Sequence, residues 1–287
     1  MKLAHDPILD PIIQQSVEGY HQGQSLSAID LESWQKEKYT ITFKDWIQSS
    51  SYNSIHGLDS FAYESYCAGA VDGIASFIHR HVTTKRLRFS RAEFVGSKIA
   101  SNHAKANFTW LEDDKLKDND AVILSVPFSG TGCVHSDYDK IIKECNQKNI
   151  PVLIDLAYFA ISYDIEIDLD QPCITDVVFS LSKCFSTSLR LGYRLTKEHN
   201  DDLVQVSHDL KLVNRWAVNT GTQLMQNFSH NWIVDRLRPV QLDVCRDLNL
   251  IPSNTLTLAQ GNKQLHSDFE RNGFLRICIT DELHQRL

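Results

Sequence analysis

Three short apolar runs constrain what this chain can fold into: residues 121–126 (AVILSV), 151–157 (PVLIDLA) and 177–180 (VVFS). None alternates apolar with polar positions as a strand with one wet face would, and each is too short for a buried helix. Residues 93–104 and 137–148 carry helical spacing, while 86–90 and 107–111 read as further short strands. Continuous apolar strands alternating with helices predict an α/β fold with a mostly parallel sheet covered on both faces. In such a sheet ligands gather beyond the carboxyl ends of the strands. Asp155, Lys183 and the loop at residues 127–132 (PFSGTG) all lie at or just past such ends.

The flanking segments read differently. Residues 1–49 show helical spacing around Ile12-Ile13-Val17 and Ile29-Leu31-Trp34, which predicts a packing arm. Ser49-Ser50-Ser51 opens a loop carrying Tyr52 and His56-Gly57-Leu58, and residues 61–67 follow as a helix or a strand. Residues 68–74 form a glycine-bearing turn into a helix expected from Ala75, and 118–120 read as a polar break. Residues 197–202 are charged and look like an exit from the first domain. The remainder is helix-rich over 203–248, with apolar positions at Leu203, Val206, Leu210, Val213 and again at Leu237, Val240, Val244, Leu248. Strands at 254–259 and 274–279 complete a smaller α+β unit. The expected division is a large domain at 50–196, with 1–49 and 197–287 forming an N-terminal arm and a small C-terminal domain.

Composition narrows the function classes. With 29 basic and 36 acidic residues the net charge is −7, so no basic surface for nucleic acid is implied. The seven cysteines (67, 133, 145, 173, 184, 245 and 278) are scattered, with no CxxC pair. That argues for reduced thiols in a cytoplasmic setting, and against a zinc site or a disulfide framework. The opening MKLAHDPILDP is unlike a signal peptide, and no apolar run approaches a membrane span.

The chemistry concentrates at residues 176–194 (DVVFSLSKCFSTSLRLGYR). A lysine just past a buried strand is unstable as an ammonium unless paired or neutralised, and a neutral amine is what a Schiff-base lysine needs. Ser180, Ser182 and Arg190 add hydroxyls and a positive fork that match a phosphate. Together they read as a pyridoxal 5′-phosphate pocket, or as a surface lysine near an ion-pairing arginine. The Gly69 turn offers free backbone N–H groups and a helix dipole to an anion, or is a plain turn. Asp155 suits a pyridinium nitrogen, which an ionised carboxylate keeps protonated, or is a capping carboxylate. Tyr158 could reach a cofactor's phenolic oxygen, or simply pack.

These motifs resemble the fold-type I pyridoxal-phosphate enzymes, specifically the class I/II aminotransferases. The family's D-x-A-Y is similar to Asp155-Leu156-Ala157-Tyr158, with Leu156 where an acidic residue is usual. Its S-x-S-K…R-x-G resembles Ser180-Leu181-Ser182-Lys183 and Arg190-Leu191-Gly192. Its glycine turn resembles Gly69-Ala70-Val71-Asp72, and its tyrosine ahead of Gly-Leu resembles Tyr52 ahead of Gly57-Leu58. The ring-stacking aromatic falls at about Phe94, and Phe274-Leu275-Arg276-Ile277 looks like the segment with the α-carboxylate arginine. The resemblance spans roughly residues 50–287 and implies a seven-stranded-type sheet with a smaller α+β domain.

The resemblance implies an aminotransferase moving an amino group between an amino acid and a 2-oxo acid through a Lys183 Schiff base. Lys183 would also shuttle the proton, Asp155 would hold the pyridine nitrogen and Tyr158 the ring oxygen. Ser180, Arg190 and the amides of Gly69, Ala70 and Val71 would bind phosphate, and Tyr52 would reach the phosphate of a neighbouring subunit in a homodimer. Phe94 would stack on the ring and Arg276 would take the substrate carboxylate, or be an exposed ion-pairing arginine. Two departures qualify this. The family's N-P-T-G is here Ser129-Gly130-Thr131-Gly132, so Ser129 replaces the asparagine that donates to the ring oxygen, and the chain is short for the family. A lyase, decarboxylase or cyclase, or a non-catalytic homologue, are the alternatives.

Overall fold

The computed structural model describes residues 8–22, 36–270 and 272–287. The predicted spacing around Ile29-Leu31-Trp34 lies outside them. Two helices, α1 (Pro11–Gln22) and α2 (Lys36–Gln48), precede a short strand, β1 (Asn53–His56). Then come β2 (Tyr63–Cys67), α3 (Ala70–His81), β3 (Arg86–Phe89), α4 (Val95–His103), β4 (Phe108–Trp110) and β5 (Asp120–Ser125). The chain continues through α5 (Tyr138–Lys148), β6 (Val152–Leu156), β7 (Ile165–Asp168), β8 (Ile174–Ser180) and β9 (Gly192–Thr196).

Seven strands form one sheet in the order β2-β9-β8-β6-β5-β3-β4. Only β9 runs against its neighbours; every other pairing is parallel. The mostly parallel α/β sheet expected from the apolar runs is therefore present. All six residues of β5 and all five of β6 are buried. Their side chains alternate between two cores, as the twofold period of a strand requires. Ala121, Ile123, Leu153 and Val178 pack with Ile74, Phe77 and Ile78 of α3 on one face. Val122, Leu124, Ile154, Val177 and Phe179 join Phe43 and Trp46 of α2 and Ile141, Ile142 and Cys145 of α5 on the other. Phe43 meets Phe179 at 5.1 Å and Tyr193 at 4.5 Å between ring centroids, so α2 packs on the large sheet. Each such fully buried ring contributes roughly 1.5–3 kcal/mol.

The C-terminal part holds α6 (Leu203–Asp209), α7 (Arg215–Asn227) and α8 (Trp232–Asp247), then β10 (Ile251–Pro252), β11 (Leu258–Gln260), α9 (Lys263–His266), β12 (Arg276–Cys278) and α10 (Thr280–His284). β10, β11 and β12 make an antiparallel sheet whose Ala259 and Ile277 pack with Val244 of α8 and Leu283 of α10.

Four local expectations are corrected. The glycine turn is tighter than expected, because Gly69 itself caps α3 and the helix starts at Ala70 rather than Ala75. Asp120 is no polar break: it is the first residue of β5, fully buried and paired with Arg88 at 2.8 Å and Arg86 at 2.7 Å. Residues 254–257 are a turn, held by Ser253 Oγ donating to the Thr255 carbonyl at 2.9 Å, so the strand begins only at Leu258. Finally, α6 turns its polar side inward. Gln205 and His208 are buried against β2, where Gln205 accepts from Ser65 Oγ at 2.7 Å and His208 Nδ1 accepts from the Tyr66 N–H at 3.1 Å. Leu203 and Leu210 consequently lie 85 and 63% exposed.

The Arg86–Asp120–Arg88 cluster fixes the β3–β5 edge. Burial raises the Asp120 pKa, but hydrogen bonds from Arg86, the Lys117 N–H and Arg88 overcome it, leaving the carboxyl below its ordinary value. Its contribution is present above the unfolded pKa and is lost as pH falls through the depressed folded value. Asp120→Asn should cost about 3–5 kcal/mol at neutral pH, because buried Arg88 and partly buried Arg86 lose their buried counter-charge and keep only the half-exposed Asp114. Urea unfolding at pH 7 checks this, and the gap between the two proteins should shrink in acid.

Candidate active site

The strand registers bring the ends of β2, β9 and β8 together: Cys67 pairs with Gly192, and Gly192 with Ser180. A Cβ on Gly192 would sit 2.8 Å from Gly69 backbone atoms, so only glycine allows the approach. Helix geometry leaves the N–H groups of Ala70 and Val71 without intrahelical acceptors at the positive end of α3. Arg190 reaches the same point, its Nη2 donating to the Ala68 carbonyl at 3.0 Å. A Cβ on Gly69 would lie 3.1 Å from that guanidinium. Ser180 Oγ accepts from the Ser182 N–H at 3.2 Å, while Ser182 Oγ is buried with no partner among the described residues. A bare helix start, a guanidinium and an orphaned hydroxyl fit a phosphate.

Asp155 sits in β6 beside Ser125 of β5 and Val178 of β8, 5% exposed. One carboxylate oxygen accepts from the Ala157 N–H at 2.9 Å. Burial pushes its pKa up to about 7; the Ala157 hydrogen bond and Lys183 oppose this, and nearby Glu93 reinforces it. Such a carboxyl is poised to meet a cation. Lys183 lies half-buried in the turn after β8, its Nζ 5.6 Å from the centroid of the Tyr158 ring. Burial raises the Tyr158 pKa, and Arg276 and a hydrogen bond with the Ser129 side chain lower it. The two residues expected at the ring oxygen are thus adjacent.

Phe94, Ser129, Tyr158, Lys183 and Arg276 line one cavity of about 760 Å³. Phe94 and Ala157 both pack against the apolar cluster that contains Ile123, Leu153 and Val178. Arg276 opens β12, and its Nη1 donates to the Ser129 carbonyl at 2.6 Å. The C-terminal sheet is thereby fastened to the loop after β5.

No protein-family model matches this chain, and no curated protein matches it by sequence. Solved structures do match. An aminotransferase from Staphylococcus aureus superposes with a TM-score of 0.68 at 13% identity, covering 100% of this chain and 91% of its own. The aromatic aminotransferase of Pyrococcus horikoshii OT3 gives 0.68 at 13%, covering 99 and 92%. A PLP-bound C-S lyase from Staphylococcus hominis gives 0.66 at 12%, covering 96 and 83%. The fold is that of the type I pyridoxal-phosphate transferases.

Within that fold, the structure gathers Gly69, Ala70, Val71, Ser180 and Arg190 at one cradle and the cavity residues beside it. Tyr52 is not among them. Its hydroxyl donates to Asp235 Oδ1 of α8 at 2.6 Å, and Arg238 lies 5.9 Å over its ring. Sequence reasoning missed Glu93, whose side chain is buried at the cavity wall. It accepts from the Ser125 N–H at 2.8 Å, the Phe94 N–H at 2.9 Å and Ser125 Oγ, which itself accepts from the Ser129 N–H at 3.0 Å. One carboxyl group therefore ties Phe94 to the Ser129 loop. Only the neighbouring strand reveals this, since Ser125 is remote from Glu93 in sequence.

In protein stripped of ligand, native Asp155 keeps a proton up to about pH 7 that the unfolded chain has lost near 3.8. Stability should therefore fall as pH rises between those values, by roughly 4 kcal/mol in all, with the penalty fully present above the folded pKa. Asp155→Asn removes that component. Melting temperatures from pH 5 to 8 should decline less steeply in the variant, and parallel curves would mean that Asp155 titrates normally.

Proposed function

We propose that the chain is a pyridoxal-phosphate-dependent aminotransferase that transfers an amino group between an amino acid and a 2-oxo acid. The observation that carries this reading is the placement of Lys183 and Tyr158 in one cavity, with Asp155 behind it and the Gly69–Arg190 cradle at the adjoining strand ends. When bound, pyridoxal 5′-phosphate supplies an electron-accepting ring and an aldehyde. Arg190, the Ala70 and Val71 amides, Ser180 and Ser182 would bind its phosphate. Asp155 would hold a proton at the ring nitrogen, and Phe94 would cover one face. Lys183 would hold the group covalently through Nζ and, once released, move a proton at that atom. Tyr158 and Ser129 would orient the ring oxygen, and Arg276 would receive the substrate carboxylate as a two-pronged donor.

A lyase-type outcome is the second reading, and one observation favours it. Ser129 stands where the related pattern has asparagine, so Tyr158 is partnered by a hydroxyl instead of an amide. Incubation with amino donors and oxo acids, followed by product identification, separates the two: a new amino acid supports transfer, and release of a side-chain fragment supports elimination. Lys183→Ala should abolish borohydride-trapped cofactor, and persistent trapping would defeat the assignment to Lys183.

The working unit in this reading is a cytoplasmic homodimer with shared sites. Leu203, Val206, Leu210 and Leu212 form an apolar surface 85, 40, 63 and 70% exposed on and just after α6, which packs beside the cradle through Tyr66. A patch of that kind next to a binding site suits a second copy of the chain. Tyr52 would meet the partner's cradle after exchanging its Asp235 bond. Light scattering should give twice the chain mass, and Leu203→Glu with Leu210→Glu should give monomers that retain cofactor poorly. A wild-type monomer with full activity would defeat the shared site.

A further inference from the structure

Two buried carboxyls stand in one wall of the site, and the strand register shows how they meet. Ser125 of β5 and Asp155 of β6 are register partners, two residues beyond Ile123 and Leu153 on the face that packs against α3. The side chains of Ser125 and Asp155 therefore leave the sheet on that same face. Glu93 reaches Ser125 from the segment before α4, accepting from both its N–H and its hydroxyl. Glu93 is 9% exposed and Asp155 5%, so water screens neither from the other.

The two are not equally provided for. Glu93 accepts from the Ser125 N–H at 2.8 Å, the Phe94 N–H at 2.9 Å and Ser125 Oγ, and it stands just before α4, whose positive end favours an anion. Asp155 accepts a single hydrogen bond among the described residues, from the Ala157 N–H at 2.9 Å. Where two close carboxyls cannot both ionise cheaply, the one with more donors takes the charge and the other keeps a proton. Burial, and then the Glu93 charge, push the Asp155 pKa up to about 7 against the Ala157 bond and Lys183. From the other elements around the pair, Lys183 in the turn after β8 favours an ionised Asp155, and Glu112 after β4 opposes an ionised Glu93. Tyr158, beside Asp155, stays neutral because burial raises its pKa.

We propose that Glu93 is a positioning residue of the site: it carries the negative charge of the buried pair, so that Asp155 keeps the proton that a pyridine nitrogen requires. This deepens the cofactor-dependent reading above and rests on it. Asp155 then meets the ring with its proton already in place. The proton goes to the nitrogen, the carboxylate left behind pairs with the cation so formed, and none is drawn from solvent. The same bonds that stabilise the Glu93 charge fix the backbone of Phe94 and, through Ser125 Oγ, that of Ser129.

The test begins with the ligand-free full chain, its aspartate and glutamate carboxyl carbons isotopically labelled for NMR, with Asp155→Asn and Glu93→Gln identifying the two resonances. In the wild type, Glu93 should be ionised at a pH where Asp155 still holds its proton, an order that no variant's folding can disturb. The Asp155 midpoint, about 7, should fall towards the ordinary carboxylate range in Glu93→Gln and stay raised in Glu93→Asp, which separates charge from packing. Affinity for pyridoxal 5′-phosphate is then followed by absorbance across pH. Between the two midpoints Glu93→Gln should lose about tenfold in affinity per pH unit relative to the wild type, because its Asp155 must first recover a proton. The reverse order of ionisation, an Asp155 midpoint unmoved by Glu93→Gln, or parallel affinity profiles would overturn the proposal while leaving the cofactor reading intact. A wild-type chain that takes up no pyridoxal 5′-phosphate would defeat that reading, and the role of Glu93 toward the ring with it.

Discussion

A carboxyl group at the end of a strand with no exposed residue is the constraint around which this site is arranged. Asp155 cannot shed a proton cheaply there, and its titration near 7 expresses that cost. Glu93 makes the problem sharper, because a second buried carboxyl faces it and is also pushed upward by burial. Lys183 is the cation that opposes this shift. Two acids and one amine behind a hydrophobic wall form an unbalanced set, and a protonated heterocycle at Asp155 would balance it. The same imbalance explains why Glu93 is surrounded by donors. Ser125 and Phe94 supply N–H and O–H groups that favour the charged carboxylate and so oppose the upward push of burial.

The sheet topology makes these encounters possible. β2 runs parallel to β8 although both neighbour β9 antiparallel, so its carboxyl end arrives at the same edge. From there α3 starts immediately at Gly69, pointing its free amides at the place where Arg190 arrives from the far side of β9. The cradle is thus made by backbone and one side chain, and its shape depends on two glycines in contact rather than on a flexible loop. Arg190 holds a positive φ of 48° in this arrangement, an uncommon conformation for an arginine, fixed by the turn between β8 and β9.

Legibility in the sequence followed how local each feature is. The sheet was readable because β5, β6 and β8 are uninterrupted apolar runs, and such runs bury both faces. Asp155, Lys183 and Arg190 were readable because each stands a fixed distance from a strand end. Glu93 was not, since its surroundings come from strands paired through the sheet. The stripe on α6 was misread for a related reason. Helical period identifies a face but not what lies against it, and here Gln205, His208 and the N-cap Asp202 provide the inward contacts. Asp202 also pairs with buried Arg194 at 2.6 Å, so the charged exit after β9 is an internal anchor.

The loop after β5 shows how a departure from a familiar pattern can be dictated by packing. Gly130 occupies the place of a proline, and a Cβ there would stand 2.6 Å from the Phe128 ring and 2.7 Å from Ala92. Phe128 is buried and meets Phe274 edge-on at 5.4 Å, so the large ring in this loop has claimed that space. Beyond it, Gly132 accepts from the N–H and hydroxyl of Thr255, each at 3.0 Å. Together with Arg276 on the Ser129 carbonyl, these bonds make the loop a bridge between the two sheets. Ser129 therefore has its backbone fixed by the C-terminal sheet and by Ser125, while its hydroxyl meets Tyr158. Ser129 also lines the cavity, so its hydroxyl meets Tyr158 from a backbone whose position the packing of the loop sets.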